Sequence, residues 1–264
     1  MDKKNTLYLE CRSGISGDMT VAALLDLGAT EENLRSELGK LPVDDYEIQV
    51  KHVMKSGLRV CDFDVILKEE PDRHTHSYEA HEYGHEHSHE RHHCAHRTWG
   101  DIEAMLRAAD LKPRVLELSL RIFCTVAEAE ARVHGLPVPE VHFHEVGAVD
   151  SIVDIVGTAA CLEELQVDRV LVSEITEGSG HVHCSHGILP VPVPAVLEIA
   201  SSHGLTLCPT KQQGEMVTPT GVAIAALSEG QGPGAFRVKR IGMGAGKREY
   251  ASTNILRAML IEEA

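Results

Sequence analysis

The chain has 264 residues, 43% of them hydrophobic and 25% charged, and carries a formal net charge of −15. That length can bury one large core or two small ones, and the acid excess argues against generic binding to nucleic acid or anionic membranes. One Trp and four Phe leave no stacking platform for single strands, and no apolar run nears the ~18 residues of a spanning helix. Met1 leads directly into a strand-like run without a signal-peptide core, and seven cysteines lie outside CxxC spacing. The expectation is a reduced-thiol, cytoplasmic protein.

In chain order, a strand is predicted over 7–11, followed by the turn Ser13-Gly14-Ile15-Ser16-Gly17-Asp18 and a helix over 19–27 stopped by Gly28. A glycine-rich turn between strand and helix presents backbone N–H groups to an anion, so Ser13, Gly14, Ser16, Gly17 and Asp18 are phosphate candidates. The Gly-Lys-Ser/Thr ending of a P-loop is absent. A second helix is predicted over 31–39, then paired strands over 46–53 and 58–67.

Residues 74–96 hold nine of the seventeen histidines: His74, His76, His81, His85, His87, His89, His92, His93 and His96. From 68 to 98 there is no Val, Ile, Leu, Met or Phe, so nothing offsets the entropy of ordering. The expectation is a flexible loop over 68–97 that captures nickel, zinc or copper through interchangeable imidazoles. A plain solvated insertion is the competing reading.

Thr98 and Asp101 form a capping-box pattern for a helix through 109, and Pro113 opens a long helix to His134, closed by Gly135. Next comes Val-His-Phe-His-Glu-Val-Gly-Ala-Val-Asp-Ser-Ile-Val-Asp at 141–154, read as a strand-to-helix junction. Strand alternation puts His142 and His144 on one face and Glu145 on the other, while helical spacing aligns Asp150 and Asp154. Imidazole with carboxylate suits a first-row divalent metal. The bland alternatives are an N-cap for Asp150 and hydrogen-bonded core histidines. Asp154 resists them, because its helix is apolar on nearly every side and a buried carboxylate is costly without a partner.

A strand over 169–176 is predicted next, then Gly178-Ser179-Gly180 and a histidine group in which His181 and His183 share one face and Cys184 and His186 the other. Those four are further ligand candidates or, equally, side chains of a glycine-flanked strand that bind only protein or water, and Gly178, Ser179 and Gly180 are further phosphate candidates. After a Pro-rich run over 189–195, Thr218-Pro219-Thr220-Gly221 leads into a helix over 222–227, another helix start where Thr218 and Thr220 face an anion. Strands over 235–243 and 254–261 close the chain. Strands alternating with helices predict an α/β fold, with mixed α+β as the variant.

Four ordered motifs carry a resemblance: Ser-Gly-Ile-Ser-Gly-Asp-Met at 13–19, Val-His-Phe-His-Glu-Val-Gly-Ala-Val-Asp-Ser-Ile at 141–152, His-Gly-Ile-Leu-Pro-Val-Pro-Val-Pro-Ala at 186–195 and Thr-Pro-Thr-Gly at 218–221. With the histidine loop, they closely resemble the LarC nickel-insertion family over essentially the whole chain. The resemblance implies a nickel insertase, or cyclometallase of the lyase class. Such an enzyme installs Ni2+ in pyridinium-3,5-bisthiocarboxylic acid mononucleotide, giving the nickel-pincer cofactor of lactate racemase, with CTP and Mg2+ or Mn2+. It further implies that 1–264 is the N-terminal nickel-handling domain, divisible at the loop into 1–67 and 98–264, without the C-terminal nucleotide-binding part. That part, lactate racemase and a second copy in a homo-oligomer are the expected partners. Within it, His144 and Glu145 are the expected catalytic pair, with His142, His144, Glu145, Asp150 and Asp154 around the metal. A non-catalytic nickel metallochaperone and a zinc hydrolase are the rival readings.

Overall fold

In the computed structural model, residues 5–44, 46–67, 97–143, 148–184, 186–230 and 232–263 are described. β1 (Thr6–Glu10) runs into the turn that opens α1 (Gly17–Leu27), which Gly28 ends with a left-handed φ of 118°. α2 (Glu31–Leu38) is capped by the Thr30 hydroxyl, and β2 (Tyr46–Lys55) and β3 (Leu58–Leu67) form a hairpin in full antiparallel register. α3 (Trp99–Ala108) starts at the predicted box, with Thr98 and Asp101 bonding each other's backbone N–H. α4 (Pro113–His134) has Pro at its first position and Gly135 in the left-handed region past its end.

After a 3-10 turn (Val138–Glu140), α5 (Val149–Glu164) buries nearly every residue from Ile152 to Leu162. β4 (Arg169–Val172) and β5 (Ile175–Ser179) follow, so the single strand expected over 169–176 is two, broken at Ser173 and Glu174. The Ser173 hydroxyl causes the break by donating to the Glu174 carbonyl while accepting from the Cys11 N–H, which redirects the chain into a second sheet. β6 (His181–Cys184) and β7 (Gly187–Pro190) make a short hairpin, and α6 (Pro194–His203) grows out of the Pro-rich run. β8 (Leu207–Gln213), α7 (Pro219–Ala225), β9 (Phe236–Ala245) and β10 (Ile255–Glu263) complete the order. The fold is mixed α/β, as expected.

The main sheet has the order β2-β3-β9-β10-β1-β4, so strands from both sides of the 68–96 segment share one sheet. α1 lies across β9, β3 and β10, α5 packs on α1, and α4 packs on α5. The main core fills these layers, with Leu7, Leu24, Phe63, Ile122, Phe123 and Ile152 fully buried. Close approach of α1 requires glycine, since a Cβ on Gly244 would strike the Met19 carbonyl and one on Gly242 the Ala23 carbonyl. Tyr8, Leu171, Met259 and Ile261 form a small second cluster. Among the described residues, no helix is long and apolar enough to cross a membrane.

Candidate functional site

Three helix starts meet because the turn before α1 is stitched to the segment before α7. Ile15 N–H donates to the Met216 carbonyl at 3.0 Å and Thr218 N–H to the Ile15 carbonyl at 3.1 Å. Gly17 lets α5 approach, because a Cβ there would lie 2.5 Å from Asp154 Oδ2. Glu177 holds the far side of the same segment, its Oε1 accepting the N–H groups of Gly178 at 2.7 Å, Met216 at 2.8 Å and Val217 at 3.2 Å. It is fully buried, its Oε2 has no partner, and burial raises its pKa against the lowering effect of those N–H groups.

The result is a cavity of about 450 Å3 lined by Ser16 with Gly17 and Asp18 at the start of α1, Asp150, Ser151 and Asp154 of α5, and Thr218 with Pro219 and Thr220 at the start of α7. Asp64 of β3, Glu215 and Lys247 close it. Neither Ser16 before α1 nor Ala148 before α5 caps its helix with a side chain. The Asp154 carboxylate accepts the Asp18 N–H, Asp18 accepts the Met19 N–H, and Asp150 Oδ1 accepts the Ser151 N–H at 2.8 Å. The Ser16 hydroxyl instead donates to Asp18, and the Thr218 hydroxyl caps α7 through Gly221 N–H at 3.0 Å.

Five carboxylates face one ammonium here, and Lys247 Nζ is itself held at 2.6 Å by Asp62 and at 2.9 Å by the Phe63 carbonyl. Asp154 as a residue is half-buried, yet its Oδ1 is sealed from solvent and lacks a hydrogen-bond partner. Burial, then the charges of Asp18 and Asp150, push its carboxyl well above the ordinary value. Burial raises Asp18 as well, with its Ser16 hydrogen bond working the other way. The cavity thus gathers negative charge around one carboxylate oxygen that no protein donor satisfies, an environment that attracts a cation.

The sequence-predicted residues divide by location. Ser16, Gly17, Asp18, Asp150, Asp154, Thr218 and Thr220 come together in this cavity. Asp150 is in the first turn of α5 and is not its N-cap, a place taken by Ala148. Ser13 and Gly14 lie just outside, the Ser13 hydroxyl donating to the Thr253 carbonyl at 2.9 Å. Gly178, Ser179 and Gly180 are taken up elsewhere, through Glu177, the Gln212 carbonyl and the Val191 N–H. Among the described residues around it, His142 is exposed and makes a single bridge to Thr98 in place of the expected strand, while the Thr98 hydroxyl and N–H lower the Asp101 carboxyl at the α3 cap. His144, Glu145 and the tract histidines from His74 to His96 lie outside the described residues. Among the described residues, no three His, Cys, Asp or Glu side chains assemble into a metal cage.

His183, Cys184 and His186 line a neighbouring cavity of about 280 Å3, joined by His134 from α4, whereas His181 is exposed on β6. Glu215 and Pro219 line both cavities. Sequence reasoning missed Asp64, Glu177, Glu215, Lys247 and His134. Their signals were weak, since each is a lone polar residue in a strand, loop or helix end, and only the folded chain brings them to one place.

The model of the family described as nickel insertion protein matches residues 7–264. A pyridinium-3,5-bisthiocarboxylic acid mononucleotide nickel insertion protein of Alkaliphilus metalliredigens is 48% identical over 98% of this chain and 61% of its own length. Proteins of the same name from Geobacillus kaustophilus and Akkermansia muciniphila are 43% and 45% identical over 97% of this chain and 60% of theirs. The chain thus spans about three fifths of the length of these relatives. No solved structure matches it significantly. A family match over residues 7–264, with relatives 43–48% identical over nearly all of the chain, places the chain in the nickel insertion protein family.

Proposed function

We propose that the chain handles Ni2+ for insertion into pyridinium-3,5-bisthiocarboxylic acid mononucleotide, the substrate its relatives are named for, and that nickel and the phosphate meet in the acidic cavity. The observation that carries this is Asp154, which lines the cavity with Asp18 and Asp150, is met by a single backbone N–H, that of Asp18, and keeps one carboxylate oxygen without a hydrogen-bond partner. Such a group is costly unless a cation completes it. Insertion replaces a ring C–H bond with a carbon–nickel bond: the C–H electron pair goes to nickel and the proton to a base. Glu145 is assigned as that base, with His144 passing nickel to the ring from the segment leading into α5. Asp18, Asp150 and Asp154 draw the cation to the cavity by their charge, and the N-terminal turns of α1 and α5 border the phosphate. The sulfurs of the two thiocarboxylates supply the donors that the described side chains lack.

Turnover is assigned to this chain with the C-terminal nucleotide-binding part and CTP with Mg2+ or Mn2+, the product serving lactate racemase. The test incubates the purified chain with precursor, Ni2+ and CTP, with and without that C-terminal part, and follows the pincer product by mass. Product only in the complete mixture is the expected result. Nickel binding without any change in the precursor under every condition would instead make the chain a metallochaperone.

A further inference from the structure

The 280 Å3 cavity beside the acidic one belongs to no step assigned so far. Its walls are apolar: Val182 and Leu189, cross-strand partners in the β6–β7 hairpin, face Val193 and Ala195 at the start of α6. His134 from the last turn of α4 and His186 from the hairpin turn stack at its edge, ring centroids 5.0 Å apart and planes 29° apart. Glu130, Glu215 and Arg248 are its charged groups, Glu130 lying 3.1 Å from His134 Nε2.

We propose that this cavity seats the flat, positively charged pyridinium ring of the mononucleotide, with the imidazole pair as its stacking surface and the ribose phosphate crossing the shared Glu215–Pro219 wall into the acidic cavity. The inference rests on the functional reading above and locates the reacting ring within it. Apolar walls and π-faces favour a planar ring over a phosphate, and carboxylates at the rim complement its positive charge. Arg248 suits an anionic thiocarboxylate arm. The volume falls just under the roughly 300–1,000 Å3 of drug-sized sites, which fits one substituted ring. A metal is the poorer occupant, because the described His, Cys and Glu side chains do not converge three at a time. Seated here, the ring presents its edge to the carboxylates across the common wall, where nickel is held.

The probe is nicotinate mononucleotide, a pyridinium carboxylate mononucleotide, added to the full chain without nickel and followed by saturation-transfer NMR. Stronger transfer to the ring protons than to the ribose protons is expected. His186→Ala, in an exposed turn, should weaken probe binding roughly three- to ten-fold. Val182→Trp, which fills the cavity, should raise KM for the precursor at least ten-fold in the complete insertion mixture while bound nickel per chain stays unchanged. Unaltered probe binding in both variants, transfer confined to the ribose, or no binding by the parent chain would overturn the proposal. Insertion with an unchanged KM in Val182→Trp would remove the ring site and leave the functional reading standing. Probe binding here without pincer product in any mixture would do the opposite.

Discussion

Asp154 lies in a helix whose other residues from Ile152 to Leu162 are buried, with one oxygen sealed and unpartnered and two further aspartates beside it. A carboxyl whose folded-state pKa is raised binds its proton more tightly folded than unfolded. Its destabilising effect is therefore absent below the unfolded value of about 3.9 and complete only above the raised folded value. Asp154→Asn should stabilise the metal-free protein at pH 7 by roughly 1–3 kcal/mol, about 2–4 °C per kcal/mol for a chain of this size. The gain should shrink as pH falls towards 4, while Ni2+ affinity drops. Calorimetric melts across pH and nickel titration check this; a variant melting below the parent at pH 7 would show that the carboxylate is already satisfied. This residue was legible in the sequence because a charge on an apolar helix is visible in the pattern. Lys247 and Asp64 were not, since neither has a neighbour that marks it before β3 and the β9–β10 connection are folded together.

Elements with local signals were readable: the Thr98 box, Pro113, and the glycines ending α1 and α4 are stop and start chemistry within a few residues. α6 was hidden because Pro190, Pro192 and Pro194 look like breakers, whereas Pro194 occupies a first-turn position that needs no N–H. The glycines of β9 were hidden for a different reason, as their role is the passage of α1 overhead. Gly244→Ala pushes a methyl into the Met19 carbonyl and must lift α1, whose first turn carries Asp18. The expected cost is roughly 1–3 kcal/mol of overpacking, with a parallel loss of nickel affinity. Gly234→Ala, where a Cβ meets nothing within 4 Å, should stay within about 0.5 kcal/mol. Urea titrations of the two variants provide the comparison, and equal midpoints would dismiss close approach as the reason for glycine in β9.

Across the whole molecule, the acidic charge and the cavity point to cation handling, but the histidine tract and His144 with Glu145 lie outside the described residues, so their roles rest on composition and spacing. The flanks of the tract are fixed by contacts of their own. Leu67 pairs with Tyr46 at the end of the β2–β3 hairpin, and Trp99 N–H bonds the Val141 carbonyl while the Arg97 carbonyl accepts from Phe143 N–H. The Thr98–Asp101 box holds α3 independently. Removing 74–96 takes away imidazoles, and the described contacts of the sheet and the acidic cavity are all made by residues outside that segment. A protein lacking that segment should melt within about 2 °C of the parent, since a sequence without Val, Ile, Leu, Met or Phe offers little apolar surface for a core. Bound nickel per chain should fall to the share held by the folded site, and insertion should slow mainly when nickel is scarce, because many weak sites raise local supply without taking part in the bond change. Elemental analysis and melts of the two proteins side by side decide it: the same nickel content after deletion would reduce the tract to a solvated insertion.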